Sequence, residues 1–195
     1  PTSLGRLTLT KSISLLAEEE ANKRVTITTG NMSFNGPNIE FVHFEGIDFI
    51  TTDNNLIVDV SGGSFNIEDF SLINCSVNNM GRGLIRFSGG GSDYNIQNFT
   101  IDNCTFTPWA KNGYSFIISQ NEANFYHNFR MTNSTSYAAP GSNKTLFEGI
   151  SDKITSNINI FIENCTFASN NSSYSLFDIR PGGEASFTLR KCLFT

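Results

Sequence analysis

The chain has 195 residues, of which only 16% are charged, and a formal net charge of −5. The absence of a basic run argues against a nucleic-acid partner, and no apolar stretch reaches the ~18 residues needed to span a membrane. Phe is unusually frequent, with 18 copies, and Gly, Asn, Ser and Thr crowd the segments between apolar runs, which points to β-structure rather than helices.

Residues 1–38 show short alternating segments at Leu7-Leu9, Ile13-Leu15 and Val25-Ile27. They also contain LLAEEEANKR, a candidate short helix. The chain begins at Pro1 without Met and shows no signal peptide. It reads as a mature or trimmed form, so that absence says nothing about export.

From about residue 39 one element recurs. It reads VHFEGIDF from Val42, FSLINCSV from Phe70, FTIDNCTF from Phe99, FRMTNSTS from Phe129 and IFIENCTF from Ile160, with a sixth copy, FTLRKCLF, from Phe187. Register marks fall at Gly46, Asn74, Asn103, Asn133, Asn164 and Lys191. A near-constant period, here roughly 30 residues, is the signature of a repeat architecture. Apolar residues stand four and two positions before each mark, such as Phe99 and Ile101, as in a strand with one buried face. After the mark the parity flips, and Cys104 and Phe106 take the inward positions. The chain must bend there, and Asn and Gly adopt a left-handed bend at least cost. Lys191 breaks the pattern and predicts an irregular last coil. Asn103 and Asn133 are expected inside the stack, their amides bonded to neighbouring coils.

A second strand follows in each period: IVDV from Ile57, LIRF from Leu84, SFII from Ser115, LFEG from Leu146 and LFDI from Leu176. Turn signals such as SGG, SGGG and RPGG follow nearly every copy. Short strands and tight turns at this period make an all-β fold, a single-chain parallel β-helix of about six coils of roughly 30 residues, paired from coil to coil. Residues 1–195 then form one domain. Residues 1–38 read as a degenerate first coil and its cap, and 39–195 as regular coils. The chain stops at Thr195 directly after a core strand, so the expectation is that the parent protein continues or another chain covers that face.

Cys75, Cys104, Cys165 and Cys192 occupy one inward column, with Ser134 in the gap. Small buried thiols stacked this way need no partner. Disulfides 75–104 or 165–192 are the alternative, since adjacent coils bring Cα atoms within bonding range. Zinc is disfavoured because no paired C-x-x-C is present. Asn74, Asn103, Asn133 and Asn164 match N-x-[ST], but the match follows from the repeat and is read as coincidental.

Two candidate sites emerge. Variable corners of the stack carry Trp109, Tyr114, Tyr137 and Tyr174, with Arg82, Lys111, Asn112 and Asn143 nearby. Aromatic faces with guanidinium and amide groups suit a sugar ring, and at least two of Trp109, Tyr114 and Tyr137 are expected to be exposed on one edge. The alternative is that these rings cover the core. The second candidate is an outward column of Asp59, Arg86, Ile117, Glu148 and Asp178. Glu148 and Asp178, one coil apart, could bind calcium or act as an acid/base pair. The alternative is a solvated face with Asp59 paired to Arg86. His43 and Arg130 share a third outward column three coils apart, too far for a joint role.

The N-C-x-F strand ending, the period near thirty and the corner Asn column resemble the pectin-lyase-like right-handed β-helix superfamily. Within it, KSISLLAE…VTITTGNMSF…IEFVHFEGIDF resembles the opening of β-helix proteins of unknown function secreted by gut Bacteroidetes and associated with polysaccharide use. The resemblance implies right-handed coiling and an extracytoplasmic location, whether secreted, periplasmic or cell-surface. It carries over no catalytic residue. The Asp-Asp pair of polygalacturonases is absent, and the aspartate, calcium and basic-residue set of pectate lyases has no match.

These readings lead to a non-catalytic, secreted or surface-attached polysaccharide-binding module, with no required cofactor beyond an optional calcium and with further domains of a parent chain as partners. A polysaccharide lyase or glycoside hydrolase is the first alternative, and a structural stalk or adhesin segment the second.

Overall fold

The computed structural model describes residues 2–4, 7–18, 24–51, 58–60, 64–87, 94–109, 115–119, 127–139, 145–149, 157–168, 177–179 and 184–195, and among them there is no helix. Among the described residues the chain winds through three parallel sheets in turn, making a β-solenoid with about 29 residues per turn. Sheet A stacks eight strands: Thr2–Leu4, Val25–Thr29, Ile47–Thr51, Ser76–Asn78, Thr105–Trp109, Thr135–Ala138, Thr166–Ala168 and Leu193–Phe194. Sheet B stacks seven: Leu7–Leu9, Met32–Phe34, Val58–Val60, Ile85–Phe87, Ile117–Ser119, Phe147–Gly149 and Phe177–Ile179. Sheet C also stacks seven: Ile13–Leu16, Gly36–Glu45, Phe65–Ile73, Tyr94–Asp102, Asn128–Thr132, Ile158–Glu163 and Ala185–Arg190.

The opening segment is built into this stack. Thr2 pairs with Ile27, Leu7 with Met32 and Ile13 with Val42. Leu15 and Leu16, the start of the candidate helix, lie in a strand of sheet C. Residues 19–23, the middle of that candidate, lie outside the described residues.

Each inward column is a row of apolar side chains repeated down the stack. Val42, Phe70, Phe99, Phe129 and Ile160 form one on sheet C, all at most 2% exposed. Their rings meet edge to face: Phe70 and Phe99 centroids lie 4.9 Å apart, and Phe99 and Phe129 5.2 Å apart. That arrangement places the positive ring edge on the negative ring face. The same columns end at Phe187, Leu189 and Phe194, which are exposed.

The bend between sheets C and A falls on the register marks. Asn74, Asn103, Asn133 and Asn164 have φ between 51° and 54°, and Gly46 has φ 71°. Lys191 has φ 49° and follows the same path, so the irregularity expected there is absent. Stacking on the coil before it holds Lys191 in this bend, because Asn164 N–H donates to the Arg190 carbonyl at 3.0 Å. In the first coil Ala17 takes the corner position, and a Cβ on Gly46 would come within 3.0 Å of the Ala17 Cβ.

The corner amides bond from coil to coil, but outside the stack. Asn103 Nδ2 donates to Asn74 Oδ1 at 2.6 Å, and Asn164 Nδ2 to Asn133 Oδ1 at 2.8 Å. Asn133 instead donates to Asp102 Oδ1 at 2.8 Å, which interrupts the row. Asn103, Asn133 and Asn164 are exposed. The expected interior placement is therefore corrected. A left-handed bend turns the side chain at the mark outward and gives the interior to the residue after it.

That next residue is the Cys/Ser column. Cys75 N–H donates to Cys104 Sγ at 3.4 Å, and Cys104 N–H donates to Ser134 Oγ at 2.9 Å. Each side chain donates back to the carbonyl two residues earlier, as Ser134 does to Thr132 at 2.6 Å and Cys165 to Glu163 at 3.2 Å. All four thiols are free, and Cys75, Cys104 and Cys165 are buried. Burial pushes the Cys165 thiol up to about 11. The hydrogen bond with Cys75, with burial adding to it, raises Cys104 well above the ordinary thiol range.

Substitution at the corner separates backbone from side-chain effects. Asn103→Leu keeps the left-handed bend but adds its strain, about 1–2 kcal/mol, and loses an exposed hydrogen bond of about 0.5–1.5 kcal/mol. Asn103→Gly loses the bond without the strain. Chemical denaturation should rank wild type above Gly and Gly above Leu, and equal losses for the two variants would place the cost in the amide rather than the backbone. For the thiols, iodoacetamide at pH 8 should alkylate half-buried Cys192 first and spare the other three until unfolding, as read by peptide mass spectrometry. Because folding raises the Cys165 pKa, its contribution to stability is complete below the ordinary thiol value. It should fade as pH climbs from about 9 through about 11.

Candidate functional site

The aromatic edge is described only in part. Trp109 ends a strand of sheet A, its backbone paired with Ala138 across a register shift. Tyr137 lies in the neighbouring strand, half-buried and paired with Ala168. Arg82 sits half-buried in the turn before Ile85, beside Gly83, where an added Cβ would clash with the Ser115 carbonyl. Tyr114, Tyr174, Lys111, Asn112 and Asn143 lie outside the described residues.

The acidic column stands on sheet B with one change. Arg86 pairs with Ile118, not Ile117, and Ile118 pairs with Glu148. Phe116 rather than Ser115 stands in register with Leu84 and Leu146, which moves the strand by one residue, although both side chains are buried. Asp59 is 7% exposed and accepts two bonds from Arg86, at 2.9 and 2.8 Å, and one from Asn31 at 3.2 Å. Its carboxylate is fully engaged in an ion pair. Glu148 and Asp178 are register neighbours as expected, and Ser115 Oγ donates to Glu148. No group of three or more His, Cys, Asp and Glu side chains that could hold a metal occurs among the described residues.

Among the described residues, a further polar arrangement lies on the outer face of sheet C. An open groove of about 560 Å³ runs along it beside the corner, lined by Ile73, Thr100, Asp102, Arg130, Glu163 and Lys191, among others. Asp102 accepts from the Thr132 hydroxyl and, at 2.8 Å, from Asn133. The Arg130 guanidinium lies 4.5 Å above the Phe161 ring, and Arg190 approaches the same ring at 5.7 Å. Cation–π contact fixes the long Arg130 side chain while leaving its fork exposed. Among the described residues no ion pair engages Arg130, Glu163 or Lys191.

A second amide ladder runs parallel to the groove. Asn98 donates to Asp69 at 2.9 Å, Asn128 to Asn98 at 3.0 Å, Asn159 to Asn128 at 3.0 Å, and Ser186 to Asn159 at 2.7 Å. The strands place each residue five positions before its mark, on the outward side, so the column stacks at the sheet repeat. The sequence reading singled out Arg130 but neither this ladder nor Phe161. The signal was present in the column Asp69, Asn98, Asn128, Asn159, Ser186, which needed only the same register applied to outward positions.

Residues 2–139 match the family model described as Domain of unknown function (DUF4957), and the chain belongs to that family. No curated protein and no solved structure matches the chain.

Proposed function

We propose that this member of the DUF4957 family is a polysaccharide-binding module, secreted or surface-attached, that holds a glycan against the outer face of sheet C. The observation that carries this reading is the open groove flanked by two rows of side-chain amides. Amides fixed in rows offer donors and acceptors at the strand repeat of about 4.8 Å, a spacing suited to a chain of hydroxyl-bearing rings. Because rigid strands hold them, little freedom is lost on binding. Arg130, steadied on Phe161, supplies a planar fork for hydroxyl or carboxylate oxygens.

A glycan array probed with the purified chain tests the reading, followed by affinity electrophoresis on the best ligand. Arg130→Ala should weaken retention about tenfold, the smaller end of a lost charge-assisted bond. It should leave the melting temperature unchanged, since Arg130 is exposed. Absence of any glycan ligand for the wild type, or full retention by Arg130→Ala, would overturn it.

One observation favours the hydrolase or lyase alternative. Asp102 and Glu163 face the groove two register steps apart, through Thr132. Their backbones are thus roughly 10 Å apart, just above the roughly 6.5–9.5 Å that separates the carboxyl groups of an inverting pair. Reducing-sugar or unsaturated-product release that vanishes in Asp102→Asn would move the reading to that class.

A further inference from the structure

At the N-terminal side of the groove stands a constellation that glycan retention does not use. His43 and Ser71 are register partners on sheet C. Ser71 Oγ lies 2.6 Å from His43 Nδ1, and His43 Nε2 lies 3.2 Å from Glu45 Oε2. Glu45 is two residues beyond His43 on the same strand and so shares its outward face. With the ring proton on Nε2, His43 donates to Glu45, and Nδ1 is left to accept from the Ser71 hydroxyl. The carboxylate selects that tautomer. A hydroxyl, an imidazole and a carboxylate in one hydrogen-bonded line form the arrangement that activates a serine nucleophile, recognised by geometry rather than by chain order.

The surroundings suit an acyl substrate. Thr100, the register partner of Ser71 in the next coil, lines the groove and offers a hydroxyl to a developing oxyanion. Ile73, two residues beyond Ser71, lines the groove as well. Phe41, two residues before His43, is 41% exposed and presents an apolar face to an acyl chain. Ser71, His43 and Glu45 all lie on paired strands, so the sheet rather than a loop sets their separations.

We propose that Ser71, His43 and Glu45 form an ester-hydrolysing centre at the end of the groove, acting on O-acyl esters of the glycan held there. Ser71 Oγ bonds to the ester carbonyl carbon as its proton passes to His43 Nδ1. The carbon–oxygen bond to the sugar then breaks, and the sugar hydroxyl leaves with that proton. Water next attacks the acyl-serine, giving a proton to His43. The Ser71 ester bond breaks, the acid departs, and the proton returns to Ser71. One water is consumed and nothing is oxidised or reduced. Glu45 acts as a positioning residue through His43. The glycan as carrier rests on the binding reading above, whereas the ester chemistry does not.

The test is hydrolysis of p-nitrophenyl acetate by the full chain, with labelling by a fluorophosphonate probe. Ser71→Ala and His43→Gln should each lower turnover by roughly 10²-fold or more, the usual weight of a positioned base. Both should keep the wild-type melting temperature and glycan retention, since both positions face outward. Glu45→Gln should lower kcat with KM unchanged, a split that a merely structural role would not produce. The probe should modify Ser71 and leave His43→Gln unlabelled. Wild-type turnover equal to that of His43→Gln, or labelling at another residue, overturns the esterase even when glycan is retained. Ester turnover without glycan retention overturns the binding reading instead.

Discussion

The stack depends on a single backbone event repeated once per coil, the left-handed residue where sheet C turns into sheet A. This bend flips which side chains face inward, so it must recur at the same depth in every coil or the core columns break. Parallel pairing on both sides enforces that recurrence. Corner N–H groups donate to the adjacent coil all the way down, from Ala17 to Glu45 through Asn164 to Arg190. The chain can then vary freely elsewhere. The run of chain from Val25 to its partner Ile47 is much shorter than that from Ser136 to its partner Phe167, with no change at the corner itself. Differences in length are absorbed by the connections between sheets, and the tight corner stays the same.

Much of this was legible because the period and the parity flip are properties of the chain itself. Inward residues such as Phe70, Leu72, Cys104 and Phe106 follow from two-residue alternation on either side of the mark, and all are buried. Free thiols followed from stacking in the same way. What was missed depends on three-dimensional sense. Alternation distinguishes two faces, but the direction of the side chain at the bend is decided by the sign of φ, so the corner amides lie outside. Lys191 shows that stacking can impose a left-handed bend on a residue with no preference for it. The one-residue displacement at Ile118 arose because Ser115 and Phe116 both fit a strand and both are buried, so alternation does not decide which of them stands opposite Leu84 and Leu146.

The groove was least legible. Its residues are ordinary in sequence: an Asp, a Thr, an Arg and a Glu scattered over successive periods, with Phe161 under the Arg. They converge only because Asp102, Thr132 and Glu163 occupy one column of sheet C, and Arg130 and Phe161 the next. His43, Ser71 and Glu45 meet by the same rule, with Ser71 one period from the other two. In a solenoid, chemistry is assembled across rungs. The relevant motif is therefore a vertical one, read once per coil, and a linear scan passes over it.

The exposed amide ladder also has a sense of direction. Every donor in it points toward the earlier coil, from Ser186 through Asn159, Asn128 and Asn98 to the carboxylate of Asp69. Aligned amides add their dipoles, as in a helix, and the positive end here meets a fixed negative charge. The face is thus electrically asymmetric along its long axis. A polymer with distinct ends, laid along that face, meets donors and acceptors in one order when it runs up the stack and in the reverse order when it runs down. A ladder of this kind would therefore set the polarity of a linear ligand bound along it.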